Sequence, residues 1–183
     1  MTMDKKQLEQ TKLACARTQK RGLHFIMASV IIWAMVFVVH ITQLPIETKN
    51  LLTFCCTCPL MPLAWLLSKP LGITFSDKSN PLSALGIVLS CAQLPYLLIV
   101  MWVFAAVPGK MVMALAMVFG AHLLPFGWLY NSRVYYFMTA AVSVMALLVG
   151  LLFPPHVLAL CMVVVEILFS LLLIAENRHL FRS

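Results

Sequence analysis

Val157 to Ala175 reads VLALCMVVVEILFSLLLIA. At a rise of about 1.5 Å per residue, an apolar run of this length is what a helix needs to cross the roughly 30 Å hydrocarbon core of a bilayer. Near its middle stands one carboxylate, Glu166. An acid at the centre of a lipid-facing helix costs about 2.5–3.5 kcal/mol on insertion scales, so such a group normally faces protein or water and is a functional candidate by default. The other apolar segments are read as a wall built around it.

Composition agrees with that reading. The chain is 62% hydrophobic and 10% charged, with a mean hydropathy of +0.97, whereas a soluble domain carries about 25% charged residues. Its 183 residues suit one compact bundle and leave no polar stretch for a second domain. The net charge of +7 gathers at membrane boundaries, where the insertion rule explains it, and nucleic acid is not expected as a partner.

Taken in order, the chain divides into a basic amino-terminal segment (1–21), six spans at about 22–44, 50–68, 82–104, 111–130, 134–152 and 157–175, and a tail (176–183). The first segment has good helix formers and several Lys and Arg, and is expected as a short helix on the membrane surface, running into the first span. It serves topology first, with anionic lipid as a candidate contact. Gly22 to Leu44 is too long for the apolar core of a signal peptide and is kept as the first span. Pro59 and Pro62 remove backbone donors and should bend or break the second span at mid-depth. Ser79-Asn80-Pro81 reads as a cap and first turn opening the third span, and Asn131 or Ser132 as a cap for the fifth.

Gly86, Ser90 and Gln93, spaced by four and three, share one face of the third span, as expected where helices approach closely; Pro95 is expected to kink its outer half. Ala116 and Gly120 form a small-xxx-small pair in the fourth, with His122 on nearly the opposite side. With six spans and the amino end inside, every Lys and Arg except Lys49 and Lys110 falls on the tails and the even-numbered loops. Both termini are therefore expected to be cytoplasmic. The expected fold is an all-α, polytopic membrane protein of six transmembrane helices, in contact with the bilayer and open to homo-oligomerisation.

NPLSALG (Asn80–Gly86) and GAHLLPFGWLYNSRVYYF (Gly120–Phe137) resemble segments of a family of small bacterial integral membrane proteins of unknown function. The resemblance runs from about Arg21 to Arg178. It implies a multi-pass bundle in a bacterial inner membrane and brings no activity or functional residue with it.

Counting inward from each membrane boundary puts Gln93, His122, Ser143 and Glu166 near mid-depth on four different helices. If His122 met Glu166, a shared proton or ion pair would lower the cost of both, and Gln93 would add a donor and an acceptor. These four residues form the candidate substrate or proton site of a small-solute or ion transport component. The competing reading is a buried polar cluster that fixes helix packing, with a neutral Glu166 bonded to a neighbouring helix or to Ser170.

Cys55 and Cys58 lie one turn apart and are the candidate soft-metal pair. Their spacing, and that of Cys15, Cys56, Cys91 and Cys161, matches neither a zinc site nor a disulfide framework, and no cofactor is expected. HExxH, GxSxG and P-loop motifs are absent. A membrane-embedded lipid-modifying enzyme using His122 and Glu166, or a non-catalytic adaptor, stand as alternatives to transport.

Overall fold

The computed structural model describes residues 4–75 and 80–180. Helix α1 (Lys5–Thr18) precedes six segments long and apolar enough to cross a membrane: Lys20–Ile41, Ile46–Ser68, Pro81–Ala106, Pro108–Leu129, Arg133–Leu152 and Pro155–Arg178. They are built from α2 (Leu23–Ile41), α3 (Ile46–Thr57) with α4 (Leu60–Ser68), α5 (Pro81–Cys91) with α6 (Gln93–Ala106), α7 (Met111–His122) with α8 (Leu124–Leu129), α9 (Arg133–Leu152) and α10 (Pro155–Leu180). The fold is all-α, with no strand among the described residues.

Proline places the interruptions. The second span breaks at Cys58-Pro59, and the fourth after His122, just before Pro125, because proline has no N–H to give and crowds the preceding turn. In the third span the break falls at Ala92, and Pro95 sits in the first turn of α6, where its missing donor is no loss. Caps also act locally. The Asn80 side chain accepts from Leu82 N at 2.9 Å with Pro81 following, and the Ser132 hydroxyl accepts from Tyr135 N. The alternative cap Ser79 lies outside the described residues.

The termini of the spans differ from the sequence reading in two places. α1 does not run into the first span, because Lys20, Arg21 and Gly22 all have left-handed backbone, with φ of +45°, +53° and +70°. α10 continues past Ala175 to Leu180, so Glu176 and Asn177 are helical.

The helices pack in the order second, first, sixth, fifth, fourth, third span. α2 and α10 make the most extensive contact, α10 continues onto α9, α9 onto α7 and α7 onto α6, while α3 and α4 lean on α2. The ring closes at the end remote from the chain termini, where Asn50 Nδ2 donates to the Pro108 carbonyl at 2.9 Å and the Phe54 and Phe104 rings meet edge to face. At the opposite, terminal end α1 lies against α5 and α8, with the Lys12 ammonium 4.0 Å from the centre of the Trp128 ring. The third span is almost wholly exposed and faces outward. Of the face expected there for close approach, Gly86 meets Leu129 of α8, while Ser90 turns back to the Gly86 carbonyl.

Gly120 sets the spacing between α7 and α9. A Cβ there would stand 2.6 Å from Ser143 Oγ and 3.0 Å from the Ser143 backbone nitrogen. Gly120→Ala should therefore destabilise the bundle by about 1–3 kcal/mol, the usual cost of overpacking. Thermal unfolding in detergent checks this against Gly109→Ala, whose added carbon would touch nothing within 4 Å and should leave the midpoint unchanged.

Candidate functional site

Ala159, Met162, Glu166, Phe169 and Leu173 recur at three and four residues along α10 and are all fully buried, whereas Val164, Ile167 and Leu168 are exposed. That stripe points at α2, whose buried face includes Ala28 and Ser29. Small side chains there let the two backbones approach, which brings a hydroxyl from one span to the carboxyl of the other. Ser29 Oγ lies 2.6 Å from Glu166 Oε2 and 2.7 Å from the Ile26 carbonyl oxygen. Glu166 Oε1 is buried without a partner among the described residues. On the terminal side of the carboxyl, Ser170 donates to the Glu166 backbone carbonyl at 2.9 Å, so this hydroxyl serves the backbone rather than the acid.

Counting protons fixes the state that suits this geometry. A serine hydroxyl has one proton and two acceptor lone pairs. If it donates to the Ile26 carbonyl, the remaining short contact is satisfied only by a carboxyl O–H donating to Ser29. A neutral Glu166 therefore completes a two-step chain from carboxyl to hydroxyl to carbonyl. A charged one would compete with Ile26 for a single proton.

The other residues singled out at mid-depth are not gathered round the acid. His122 ends α7, half-buried, with its ring edge-on to Phe126 at 5.2 Å between centroids. Gln93 opens α6 and is half-buried. Ser143 is half-buried on α9 against Gly120. Neither a hydrogen bond nor an ion pair joins any of the three to Glu166 among the described residues. Cys55 and Cys58 lie exposed on α3 and at its end, and no group of three or more metal-ligating side chains occurs among the described residues.

Ser29 was open to the same depth count as the other three, being nine positions beyond Lys20 in an otherwise apolar run. Its small hydroxyl gave no sign of priority over a histidine or a glutamine.

A second polar cluster holds the terminal face. The left-handed turn at Lys20–Gly22 is clasped from two helices: Asn177 Nδ2 donates to the Lys20 carbonyl at 2.9 Å, and the Tyr135 hydroxyl to the Arg21 carbonyl at 2.8 Å. The Arg21 guanidinium returns the contact through Nη1, 3.1 Å from both the Glu176 carbonyl and Asn177 Oδ1. Its Nε lies 3.5 Å from Glu176 Oε2, an ion pair too poorly aligned to be a hydrogen bond. Glu176 also receives the Ser132 hydroxyl and the Arg133 backbone N–H. Beside this cluster the buried Tyr130 hydroxyl donates to Gln19 Oε1 at 2.7 Å; burial holds its pKa above the usual phenol range, so it remains a donor.

Six apolar spans, with the Glu166 carboxyl wholly buried among them, define a polytopic α-helical membrane protein. The chain belongs to the family of unknown function DUF7010, whose model matches residues 8–176. No curated protein and no solved structure matches it.

Ser29→Ala removes the one side-chain partner that Glu166 has among the described residues and leaves both carboxyl oxygens unmet by them. It should lower stability by about 1–3 kcal/mol, the cost of an orphaned buried polar group. It should also shift the infrared carbonyl band of the protonated acid, a band identified by its disappearance in Glu166→Gln. An unchanged band would show that Ser29 and Glu166 do not share a proton.

Proposed function

We propose that the protein is a transport component for a small solute or an ion, with Glu166 as its proton-binding group. One observation carries this reading. The carboxyl is wholly enclosed, one oxygen is held by another span, and the second oxygen has no partner among the described residues. A buried polar atom left unmet costs stability, and in native proteins such an atom calls for a specific explanation, as a catalytic group or the seat of a water or ion. Thr139 Oγ1 and both ring nitrogens of His24 are also buried without partners among the described residues, in the terminal-side half of the bundle. Together with Ser29 and Ser170 they supply the polar atoms from which a proton route between Glu166 and the terminal face would be built. Loss of the proton would break the chain from carboxyl to hydroxyl to carbonyl, and so bias the contact between α2 and α10.

The distribution of Lys and Arg supports a cytoplasmic position for the terminal face, and the resemblance to bacterial inner-membrane bundles supports that membrane as the location. A purely architectural role is the second reading. It is favoured by the same Ser29 bond, since a neutral carboxyl is a serviceable clasp between spans.

Proton flux separates the two. Proteoliposomes loaded with a pH-sensitive dye and clamped in membrane potential should acidify faster than empty liposomes when a pH gradient is imposed. Glu166→Gln should fall to the empty-liposome rate while keeping the helical content and melting temperature of the parent. A variant that conducts as the parent does, or a parent no faster than empty liposomes, leaves the carboxyl with a packing role alone.

A further inference from the structure

Across the terminal end of the first span, between the residues that follow the second span and the sixth span, runs a groove of ≈ 530 Å³. Leu23, Met27, Leu71 and Ile174 form its walls, and Lys20 and Arg178 stand among its lining residues as the charged groups. We propose that this groove seats an anionic phospholipid of the adjacent leaflet, its phosphate between Lys20 and Arg178 and one acyl chain along the apolar walls.

Charge and shape both point to an amphiphile. Among the described residues the lining carries two cations and no carboxylate. Glu176, next to Asn177 in the chain, is turned to Arg21, Ser132 and the Arg133 N–H, and among the described residues no carboxylate pairs with Lys20 or Arg178. A free anion would gain from the cations but nothing from four aliphatic walls; a lipid uses both. The groove also lies at the ends of two spans, the depth at which headgroups sit.

Lys20 is held in place for this. Its backbone is left-handed, a conformation that non-glycine residues rarely adopt, and Asn177 secures it through the Lys20 carbonyl. Its ammonium donates to the Leu71 carbonyl, which fixes the charge at the groove and leaves two N–H groups to give. Arg178 is exposed and has no hydrogen bond or ion pair among the described residues.

The full chain in nanodiscs of phosphatidylcholine with graded phosphatidylglycerol provides the test, bound lipid being counted by native mass spectrometry after gentle release. One phosphatidylglycerol per chain should be retained in preference to phosphatidylcholine. Arg178→Gln, on an exposed side chain, should weaken retention roughly fivefold, the factor expected for one basic residue at an anionic surface. Ile174→Trp should fill the groove and give a comparable loss at an unchanged melting temperature. The double variant Lys5→Gln, Lys6→Gln, whose charges lie outside the groove, should retain lipid as the parent does.

Three results would overturn the proposal. They are equal retention of the two lipids, an equal effect of the Lys5 and Lys6 changes, and displacement of the lipid by millimolar inorganic phosphate, which would mark a site for the anion alone. This inference stands independently of the role given to Glu166.

Discussion

In hydrocarbon no water stands ready to replace a lost hydrogen bond, so a polar group between these helices must be met by another span or remain unmet. The Ser29–Glu166 contact is where that constraint is felt most. It joins the two helices with the most extensive packing, α2 and α10, and it lies on the stripe of α10 that faces the core. Once the carboxyl is turned inward, the apolar residues on either side of it fall to lipid, and the rotation of the sixth span about its axis follows. The small side chain of Ser29 on α2 is the complementary condition, because a larger apolar one there would take the place of the hydroxyl and strand the acid.

The same constraint explains the strained turn at the terminal face. Left-handed backbone at two successive non-glycine residues is retained only where the surroundings over-determine it. Here the surroundings are specific: carbonyls at Lys20 and Arg21 are taken by Asn177 and Tyr135, and the Arg21 side chain is spent on Glu176 and Asn177. The turn lets α1 leave the axis of the first span and cross toward the third and fourth, where Asn80 Nδ2 donates to the Thr11 carbonyl at 3.0 Å. One end of the ring is thereby closed by α1, as the other is closed by Asn50 and Phe54.

Local chemistry was legible in the sequence to the extent that it is local. Pro59 breaks its span because a missing N–H acts within one turn, and Asn80 and Ser132 cap because their acceptors reach donors two and three residues on. The long apolar runs gave the spans for the same reason. Neighbours were not legible. Periodicity shows that Gly86, Ser90 and Gln93 share a face but carries no record of which helix covers it, and most of that span proves to face outward. Glu166 was identified by its cost, which depends only on depth. Its partner depends on helix order, and the order brings up Ser29 of the first span rather than His122 of the fourth. Glu176 and Asn177 read in the sequence as a polar tail; the helix runs on through them because Arg21, Ser132 and Lys20 supply their partners.

Two of the three broken spans stand at the ends of the row, where the constraint is weakest; the fourth span, divided after His122, stands one place in, between the fifth and the third. The first, fifth and sixth spans have no internal break below the left-handed turn, and all three pack at the centre of the ring, where freed carbonyls would have to be answered by other proteinaceous donors. The second and third spans are each divided, at Pro59 and at Ala92, and both lie at the ends of the row, where Phe54 of one meets Phe104 of the other near the far face. Their inner halves, α4 and α5, are tied to different neighbours, α4 to α2 and α5 to α8 and α1. A break there allows each half to follow its own neighbour without displacing the α2–α10 contact. The permanent polar clasp is thus confined to unbroken helices, and the segments best placed to move relative to it are the outer ones.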